Sequence, residues 1–458
     1  MFKYHLRCYG VRLNHLCFAD DIIMCSKGDY ASVLSLLQGF QHFSEASGLE
    51  VNKQKSEIYT AGMSQEETRR VLDMSGFTHG TLPFKYLSVS ICFKRISAGE
   101  RSVLVEKITA RIRSWSSRNL AYQARALLIN LVLMSLHTYW AQLMIIPKRV
   151  MQEINNICRA FLWNGDYFSH RPGNVSWDHV CTPKGEGGLG LRRITQWNIA
   201  ALGRYVWAIE AKKDSLWLRW INAVYIKGAE WWSYVPTQDS SWYWKRICEV
   251  KELMKMIYTA QQLTNMQKFS IQECYKKLTG ENEKVNWSKF VWNRLTLPIH
   301  RFICWLVMKE RLNIALRLRN MGITDDPLCR LCGIEDETHL HLFFNCPFSL
   351  EVCKSISKWM QFELFGDSID SSCRKVLTSR RSRFQKQSLL AVLGAAIYFI
   401  WFARNDAVWN SKIDIIRHHV HRIQKVCIDR IYSVIPYKIT NRDKSWLRDR
   451  ANSMMICN

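Results

Sequence analysis

Two different hydrophobic patterns divide the chain into a strand-containing start and a helical remainder. Short apolar runs at residues 13–18 and 22–25 flank the polar sequence ADD, and this pattern predicts a β-hairpin. Apolar positions between residues 30 and 46 recur at helical spacing, and Gly48 follows where a helix C-terminal cap is expected. Residues 82–93 again have the pattern of a strand. We therefore expect strands and one helix in this first part.

From about residue 97 onward, the apolar positions follow the period of a helix. Amphipathic helices are predicted within residues 104–115, 127–136 and 150–161, and further helices in the C-terminal half. The longest apolar run, residues 389–402, is too short to span a bilayer, so it predicts a buried helix and no membrane partner. These patterns together predict the fold class α+β, with a small β/α piece followed by mostly helical segments.

Composition indicates an intracellular protein with a polyanionic partner. Lysine and arginine number 64 against 39 acidic residues in a chain of 458, which gives a formal net charge of +25. Such an excess favours nucleic acid as the partner, and the alternative is a basic surface that binds no polyanion. The first residues carry no apolar signal core, so we expect reduced thiols and an intracellular location, with the nucleus among the compartments that fit.

Two adjacent aspartates lie between the apolar runs of the predicted hairpin. Phosphoryl-transfer enzymes with two magnesium ions hold them with fixed carboxylates, and a tight hairpin can aim Asp20 and Asp21 into one such site. Aspartate is also a common turn residue, so turn formation is the alternative explanation of the pair.

A cluster of cysteines has the spacing of a zinc site. The sequence CRLCGIEDETHLHLFFNC has the pattern C-x2-C-x8-H-x4-C, formed by Cys329, Cys332, His341 and Cys346. Three thiolates and one imidazole suit tetrahedral structural zinc, and C-x2-C lets two sulfurs bind one ion from a single turn. His339 is a rival ligand two residues earlier, and small buried core cysteines are the alternative to a metal site.

Several sequence segments occur in the order found in one family of polymerases. LNHLCFADDIIMC, SGLEVNKQKSEIY and LPFKYLSVSI follow one another over residues 13–91, and FLWNG, SLWLRWINAVY and the cysteine cluster come later. In this order they resemble the C-terminal part of reverse transcriptases from LINE-type non-LTR retrotransposons of the plant kind. The resemblance implies an RNA-directed DNA polymerase family whose small zinc-binding module follows a helical region.

The resemblance also implies roles for individual residues. Asp20 and Asp21 match two of the family's three catalytic carboxylates, and Lys55 matches a lysine near the incoming nucleotide, although a solvated loop lysine is the alternative. It further implies structural zinc, a residual magnesium site, and sequence-tolerant binding of RNA and RNA–DNA duplex. The basic residues expected to contact phosphates are Arg111, Arg113, Arg118, Arg125, Lys148 and Arg149. The family's YLGVPL element reads YLSVSI here, with Ser88 and Ser90 in place of glycine and proline.

The same resemblance divides the chain into four segments. They are a remnant of the reverse transcriptase palm (1–95), a helical thumb and connection region (96–267), the reverse-transcriptase zinc-binding domain (268–360) and a basic helical C-terminal region (361–458). Two hypotheses follow. In the first, the chain is a truncated protein that binds zinc and nucleic acid and has no polymerase activity alone. In the second, it is an active polymerase once the missing fingers and palm are supplied upstream or in trans.

Overall fold

The chain forms two compact units, each assembled from several segments. The computed structural model describes residues 2–82, 84–86, 89–91, 98–116, 120–133, 141–142, 146–169, 172–435 and 437–455. Unit 1 comprises Met1–Ile108, Ser135–Glu153 and Ile194–Glu281, and unit 2 comprises Thr109–Met134, Ile154–Arg193 and Asn282–Asn458. The four sequence segments are not tested by this grouping and stay a prediction. Among the predicted residues, Arg118 and Ser88 lie outside the described part of the chain.

Strands are few and short, whereas helices make up most of the described chain. The strands are β1 (His15–Phe18), β2 (Asp21–Met24), β3 (Glu57–Ile58), β4 (Thr78–His79), β5 (Phe84–Tyr86) and β6 (Val89–Ile91). They form three two-stranded sheets: β1 with β2 and β5 with β6 are antiparallel, and β3 with β4 is parallel. The predicted α+β class is therefore confirmed, and every strand among the described residues lies in the first part of unit 1.

The α-helices follow from residue 30 to residue 455. They are α1 (Tyr30–Ser47), α2 (Gln65–Ser75), α3 (Ala98–Ser116), α4 (Tyr122–Leu128), α5 (Lys148–Asn164), α6 (Trp177–Cys181), α7 (Ile194–Glu210), α8 (Leu216–Ile221), α9 (Trp242–Lys255), α10 (Ala260–Asn265), α11 (Ile271–Thr279), α12 (Ser288–Val291), α13 (Pro298–Met308), α14 (Ala315–Asn320), α15 (Pro347–Met360), α16 (Ile369–Thr378), α17 (Arg383–Trp409), α18 (Ile416–Ser433) and α19 (Asn441–Met455). Single 3-10 turns lie at Tyr9–Val11 and Lys184–Glu186, and π-helical turns at Ile129–Leu133, Asn222–Ile226 and His341–Asn345.

The first helix has the boundaries that its capping residues dictate. The Asp29 side chain accepts a hydrogen bond from the backbone N–H of Ser32 at 2.9 Å, which satisfies one of the free donors at the start of α1. Gly48 ends the helix in the left-handed region with φ 70°, a conformation that costs glycine little. The predicted helix and its glycine cap are confirmed.

Aromatic side chains fill the core of unit 1. Helix α7 packs against α9, α10 and α11, and the buried cluster between them includes Trp231, Trp244 and Phe269. The Trp244 ring stacks on that of Tyr225 with 4.9 Å between ring centroids. These tryptophans stabilise the unit by burying large apolar surfaces, so they are not exposed platforms for bases.

The core of unit 2 is built around one long apolar helix. Helix α17 packs against α12, α13, α15, α16 and α18. Its 27 residues are enough, by length and composition, to cross a membrane, but 72% of its most apolar window is buried inside the protein. The expectation of a buried helix is confirmed. The expectation that its length excludes a membrane span is wrong, because polar residues at both ends extend the helix beyond the apolar run.

Candidate functional site

Three cysteines and one histidine in unit 2 come together as a candidate metal centre. The ligand atoms of Cys329, Cys332, His341 and Cys346 all lie within 4.8 Å of one another. Cys332 Sγ is 3.3 Å from His341 Nε2, and Cys329 Sγ is 4.0 Å from Cys346 Sγ. Ligands of a tetrahedral zinc ion, with bonds of about 2.0–2.3 Å, lie roughly 3.5–3.8 Å apart. The donor set and its spacing therefore fit structural zinc.

A tight turn supplies the first two sulfurs. The backbone N–H of Gly333 donates to the carbonyl of Cys329 at 2.7 Å, and Gly333 has φ 67°, which favours glycine at this position. The N–H of Cys329 donates to the carbonyl of Glu335 at 2.8 Å, and an isolated bridge joins Leu328 to Asp336. These bonds close the loop so that both sulfurs face one point.

A π-helical turn supplies the other two ligands. Within His341–Asn345 the backbone bond runs from the N–H of Cys346 to the carbonyl of His341 at 2.7 Å, one residue wider than in an α-helix. Pro347 then starts helix α15, with Cys346 as its N-terminal cap residue. The four residues between His341 and Cys346 in the sequence therefore correspond to this one wide turn.

Hydrogen bonds shift the pKa values of Cys329 and Cys346 in opposite directions. The pKa of Cys346 is lowered, first by the hydrogen bond from the Cys329 thiol and then by the N–H groups of Phe348 and Ser349 at the start of α15. The pKa of Cys329 is raised by its bond to Cys346, while the N–H groups of Leu331 and Cys332 act against this rise. Thiolates are the form that binds zinc, and a helix N-terminus favours them.

The geometry selects His341 over its rival. The His341 imidazole has Nδ1 2.9 Å from the Glu335 carboxylate, which leaves Nε2 facing Cys332. His339 is not a member of the group, and burial lowers its pKa. A carboxylate bound to the distal nitrogen of a metal-binding histidine orients the ring and raises its basicity. Glu335 therefore belongs to the site, although the sequence analysis did not single it out.

A buried ion pair next to the centre was also missed. Glu337 is 0% exposed, and Arg404 of helix α17 is 4% exposed. The Arg404 guanidinium donates to the Glu337 carboxylate from Nε at 3.0 Å and from Nη2 at 2.8 Å. The same carboxylate accepts the N–H of Ala315, the first residue of α14, at 2.8 Å. One side chain thus joins the cysteine loop to two helices.

The predicted catalytic aspartates lie on an exposed hairpin. Asp20 lies in the turn after Ala19, which has φ 52°, and Asp21 begins β2 opposite Phe18. Both aspartates are exposed, and so are Leu16 and Phe18, at 45% and 59%. In the described part of the chain, the cysteine–histidine group is the single set of three or more potential ligands close enough for one ion. The residual magnesium site at Asp20 and Asp21 therefore stays a prediction.

The predicted phosphate contacts differ in how free their side chains are. Lys55 in unit 1 is exposed, as are Lys148 and Arg149 at the start of α5. Arg111 of α3 is exposed as well. Two other predicted contacts, Arg113 and Arg125, are held by bonds within the protein.

Arg113 and Arg125 make contacts within unit 2. The exposed Arg113 donates to the Tyr167 hydroxyl at 3.3 Å and lies 4.7 Å from the centroid of that ring. Arg125 donates to the carbonyl of Leu162 at 3.3 Å and lies over the Tyr122 ring. Arg125 is half-buried, so its first role in this structure is to hold helix α4 against the end of α5.

Comparisons with known proteins agree with these observations. A sequence model described as reverse transcriptase (RNA-dependent DNA polymerase) matches residues 2–91, and one described as zinc-binding in reverse transcriptase matches residues 269–352. A putative ribonuclease H protein of Arabidopsis thaliana is 27% identical over 153 residues, which make up 32% of this chain and 25% of that protein. The chain thus spans about a quarter of this curated relative. The predicted relationship is confirmed: residues 2–91 are similar to reverse transcriptases and residues 269–352 to their zinc-binding domain, which supports a fragment of a plant retrotransposon reverse transcriptase.

Proposed function

We propose that the chain is a LINE-type reverse transcriptase-like protein that binds RNA and RNA–DNA duplex and is held together by structural zinc. The observation that carries this proposal is the Cys3His centre, which lies inside the match to the zinc-binding domain of reverse transcriptases. The net charge of +25 supports a polyanionic partner. A location inside the cell, in the nucleus where DNA is available, completes the proposal.

The zinc ligands are Cys329, Cys332, His341 Nε2 and Cys346. With four protein ligands the site is closed, so the ion stabilises the fold and takes no part in chemistry. The ion links the turn at Cys329 to the start of helix α15, two segments that short loops alone would hold weakly. Binding free energies of such sites are about 10–16 kcal/mol, which makes zinc a major stabilising contact of the module.

Nucleic-acid binding is proposed to act through the phosphates. Exposed cations such as Arg111, Lys148 and Arg149 attract phosphates without reading bases, so affinity should be similar for different sequences. If about six phosphates are neutralised, affinity should fall roughly a thousandfold between 50 and 200 mM salt. Fluorescence anisotropy with labelled RNA and RNA–DNA duplex across a salt series tests this.

A matched pair of variants sharpens the binding experiment. Lys148→Gln with Arg149→Gln should weaken binding and reduce the salt dependence, whereas Lys268→Gln with Lys276→Gln removes the same charge from two other exposed positions. Equal losses in the two variants would indicate a diffuse charge effect. A flat salt response of the folded wild type, or no binding at 50 mM salt, would contradict the proposal.

For catalysis, we propose that the isolated chain does not extend a primer. Its two aspartates lie on an exposed two-stranded hairpin, so the carboxylates lack the rigid surroundings that fix metal ions for phosphoryl transfer. Primer extension on an RNA template with magnesium or manganese is the test. DNA synthesis that disappears in the Asp20→Ala, Asp21→Ala variant would support the second hypothesis, an active polymerase.

A further inference from the structure

A second basic feature of unit 2 lies outside the residues considered so far. The guanidinium groups of Arg301 in α13 and Arg430 in α18 both donate from Nη2 to one backbone oxygen, the carbonyl of Arg294, at 2.8 and 3.2 Å. Two positive charges from different helices are thus held close to the same atom. Both residues are half-buried, and their Nε atoms are buried without a hydrogen-bond partner.

A lysine and a tryptophan extend this feature. The Lys184 ammonium lies 4.9 Å from the centroid of the Trp292 ring, and the indole N–H of Trp292 donates to the Lys184 carbonyl at 3.0 Å. The pKa of Lys184 is lowered by partial burial and then by the charge of Arg301, and the pKa of Arg301 is lowered by burial and then by Arg430. The three cations therefore repel one another in turn.

No acidic side chain compensates this repulsion in the described part of the chain. None of the ion pairs formed there includes Lys184, Arg301 or Arg430. The neighbouring acid Glu186 accepts a hydrogen bond from Asn282 at 2.8 Å instead. Holding like charges together in partly buried positions costs free energy, and an anion bound between them would offset that cost.

We propose that Lys184, Arg301 and Arg430 form a binding site for the phosphodiester backbone of a nucleic-acid strand, with Trp292 at its edge. Guanidinium groups bind phosphate oxygens through several N–H donors, and in each arginine the bond to the Arg294 carbonyl uses the Nη2 group alone. The cations come from the Lys184–Glu186 turn, from α13 and from α18, so the site spans three segments and suits a chain of phosphates.

This inference rests on the proposed nucleic-acid binding and adds a contact surface to it. Lys184, Arg301 and Arg430 lie in unit 2 in three separate segments of the chain, 117 and 129 positions apart, so the sequence pattern did not connect them. Free phosphate has the same chemistry as a backbone phosphate, so the experiment must separate the two sources.

The test compares two double variants in the zinc-loaded full chain. Arg301→Gln with Arg430→Gln removes two cluster charges, and Lys268→Gln with Lys276→Gln removes two exposed charges elsewhere. Anisotropy with a fluorescent single-stranded RNA should show about tenfold weaker binding for the first variant at moderate salt and a salt slope smaller by about 1.4, since each single-strand phosphate contact contributes roughly 0.7. Zinc content and the melting curve report whether each variant is folded.

Photocrosslinking gives a direct second measurement. RNA containing 4-thiouridine should crosslink to peptides that contain Lys184, Trp292 or Arg430 in the wild type, and mass spectrometry identifies these peptides. Crosslinks confined to other peptides would overturn the proposal, and this result does not depend on how the variants fold.

The remaining outcomes separate the two proposals. If the wild type binds RNA and the cluster variant loses no more affinity than the control variant, the cluster site is wrong while nucleic-acid binding stands. If the wild type binds no RNA, both proposals fail. If inorganic phosphate raises the melting temperature of the wild type but not of the cluster variant, while both bind RNA equally, the site takes a small anion and the strand assignment is overturned.

Discussion

Removing the Glu337 carboxylate should destabilise unit 2 by about 3–5 kcal/mol, the usual cost of breaking a buried ion pair from one side. In Glu337→Ala the Arg404 guanidinium stays buried at 4% exposure with its main anionic partner gone. The N–H of Ala315 loses its acceptor at the same time. For a cooperative unit of this size, about 2–4 °C of melting temperature corresponds to each kcal/mol, so a drop of roughly 6–20 °C is expected.

Urea unfolding of the zinc-loaded protein measures this effect. Circular dichroism follows the helices, and a chromogenic chelator reports zinc release, which assigns one transition to unit 2 because the metal centre lies there. The matched control is Glu363→Ala, since Glu363 forms an exposed ion pair with Lys375 at 3.4 Å that should contribute about 0–1 kcal/mol. Arg404→Met, alone and combined with Glu337→Ala, completes a double-mutant cycle.

The combined variant should be less destabilised than the sum of its single changes, because it leaves no unpaired buried charge. A Glu337→Ala protein that unfolds within about 1 kcal/mol of the Glu363→Ala control would refute the idea that this carboxylate joins the cysteine loop to the helices.

The remaining predictions concern the metal centre and acid stability. Cys332→Ser should lose the zinc and unfold the module. The control Cys353→Ser changes a buried thiol outside the metal group and should keep one zinc per chain, as measured by mass spectrometry. Full zinc retention in Cys332→Ser would contradict the ligand assignment. Glu335→Gln should weaken zinc binding about 10–100-fold in a chelator competition, because the His341 ring loses its charged partner, and unchanged affinity would leave that contact without a role. Burial lowers the pKa of His300 from 6.5 to about 4, so between these pH values the unfolded chain binds a proton that the folded chain does not bind. The free energy of unfolding should therefore fall as the pH drops from about 6.5 to about 4, by at most about 1.4 kcal/mol per pH unit. His300→Gln should flatten this part of the plot of unfolding free energy against pH relative to wild type.

Local patterns were enough to predict the hairpin, the first helix and its cap. Each of these depends on neighbours in sequence: the two-residue turn between β1 and β2, the side chain of Asp29, and the glycine at position 48. The four candidate zinc ligands were also predicted by spacing, because zinc coordination imposes its own geometry on short loops. Sequence patterns therefore predict well the structures that a few consecutive residues determine.

Spacing favoured His341 but left His339 as a rival ligand, since both lie within reach of Cys346 in an extended or helical chain. The choice of the histidine ligand depends on the wide backbone turn from His341 to Cys346, which no periodic pattern predicts. The Glu337–Arg404 pair joins residues 67 positions apart, so nothing near either residue indicates its partner. Contacts of this kind exist only once the helices have packed.

The length of helix α17 shows a different limit of the sequence pattern. The apolar run covers residues 389–402, but the helix extends from Arg383 to Trp409 because Ser382 caps its start and polar residues continue the helical hydrogen bonds at its end. Hydrophobicity reports which part of a helix is buried, and capping residues determine where it begins.

The π-helical turn His341–Asn345 should fix the number of residues between two zinc ligands in related chains. Inserting or deleting one residue inside this turn would rotate the imidazole by about 100° around the helix axis relative to Cys346, and the ion would lose a ligand. The loop after Cys332 has an exposed tip at Gly333 and Ile334, where an added residue meets only solvent. Among homologues, the interval between the second cysteine and the histidine should therefore vary, while the four residues between the histidine and the last cysteine stay constant in number.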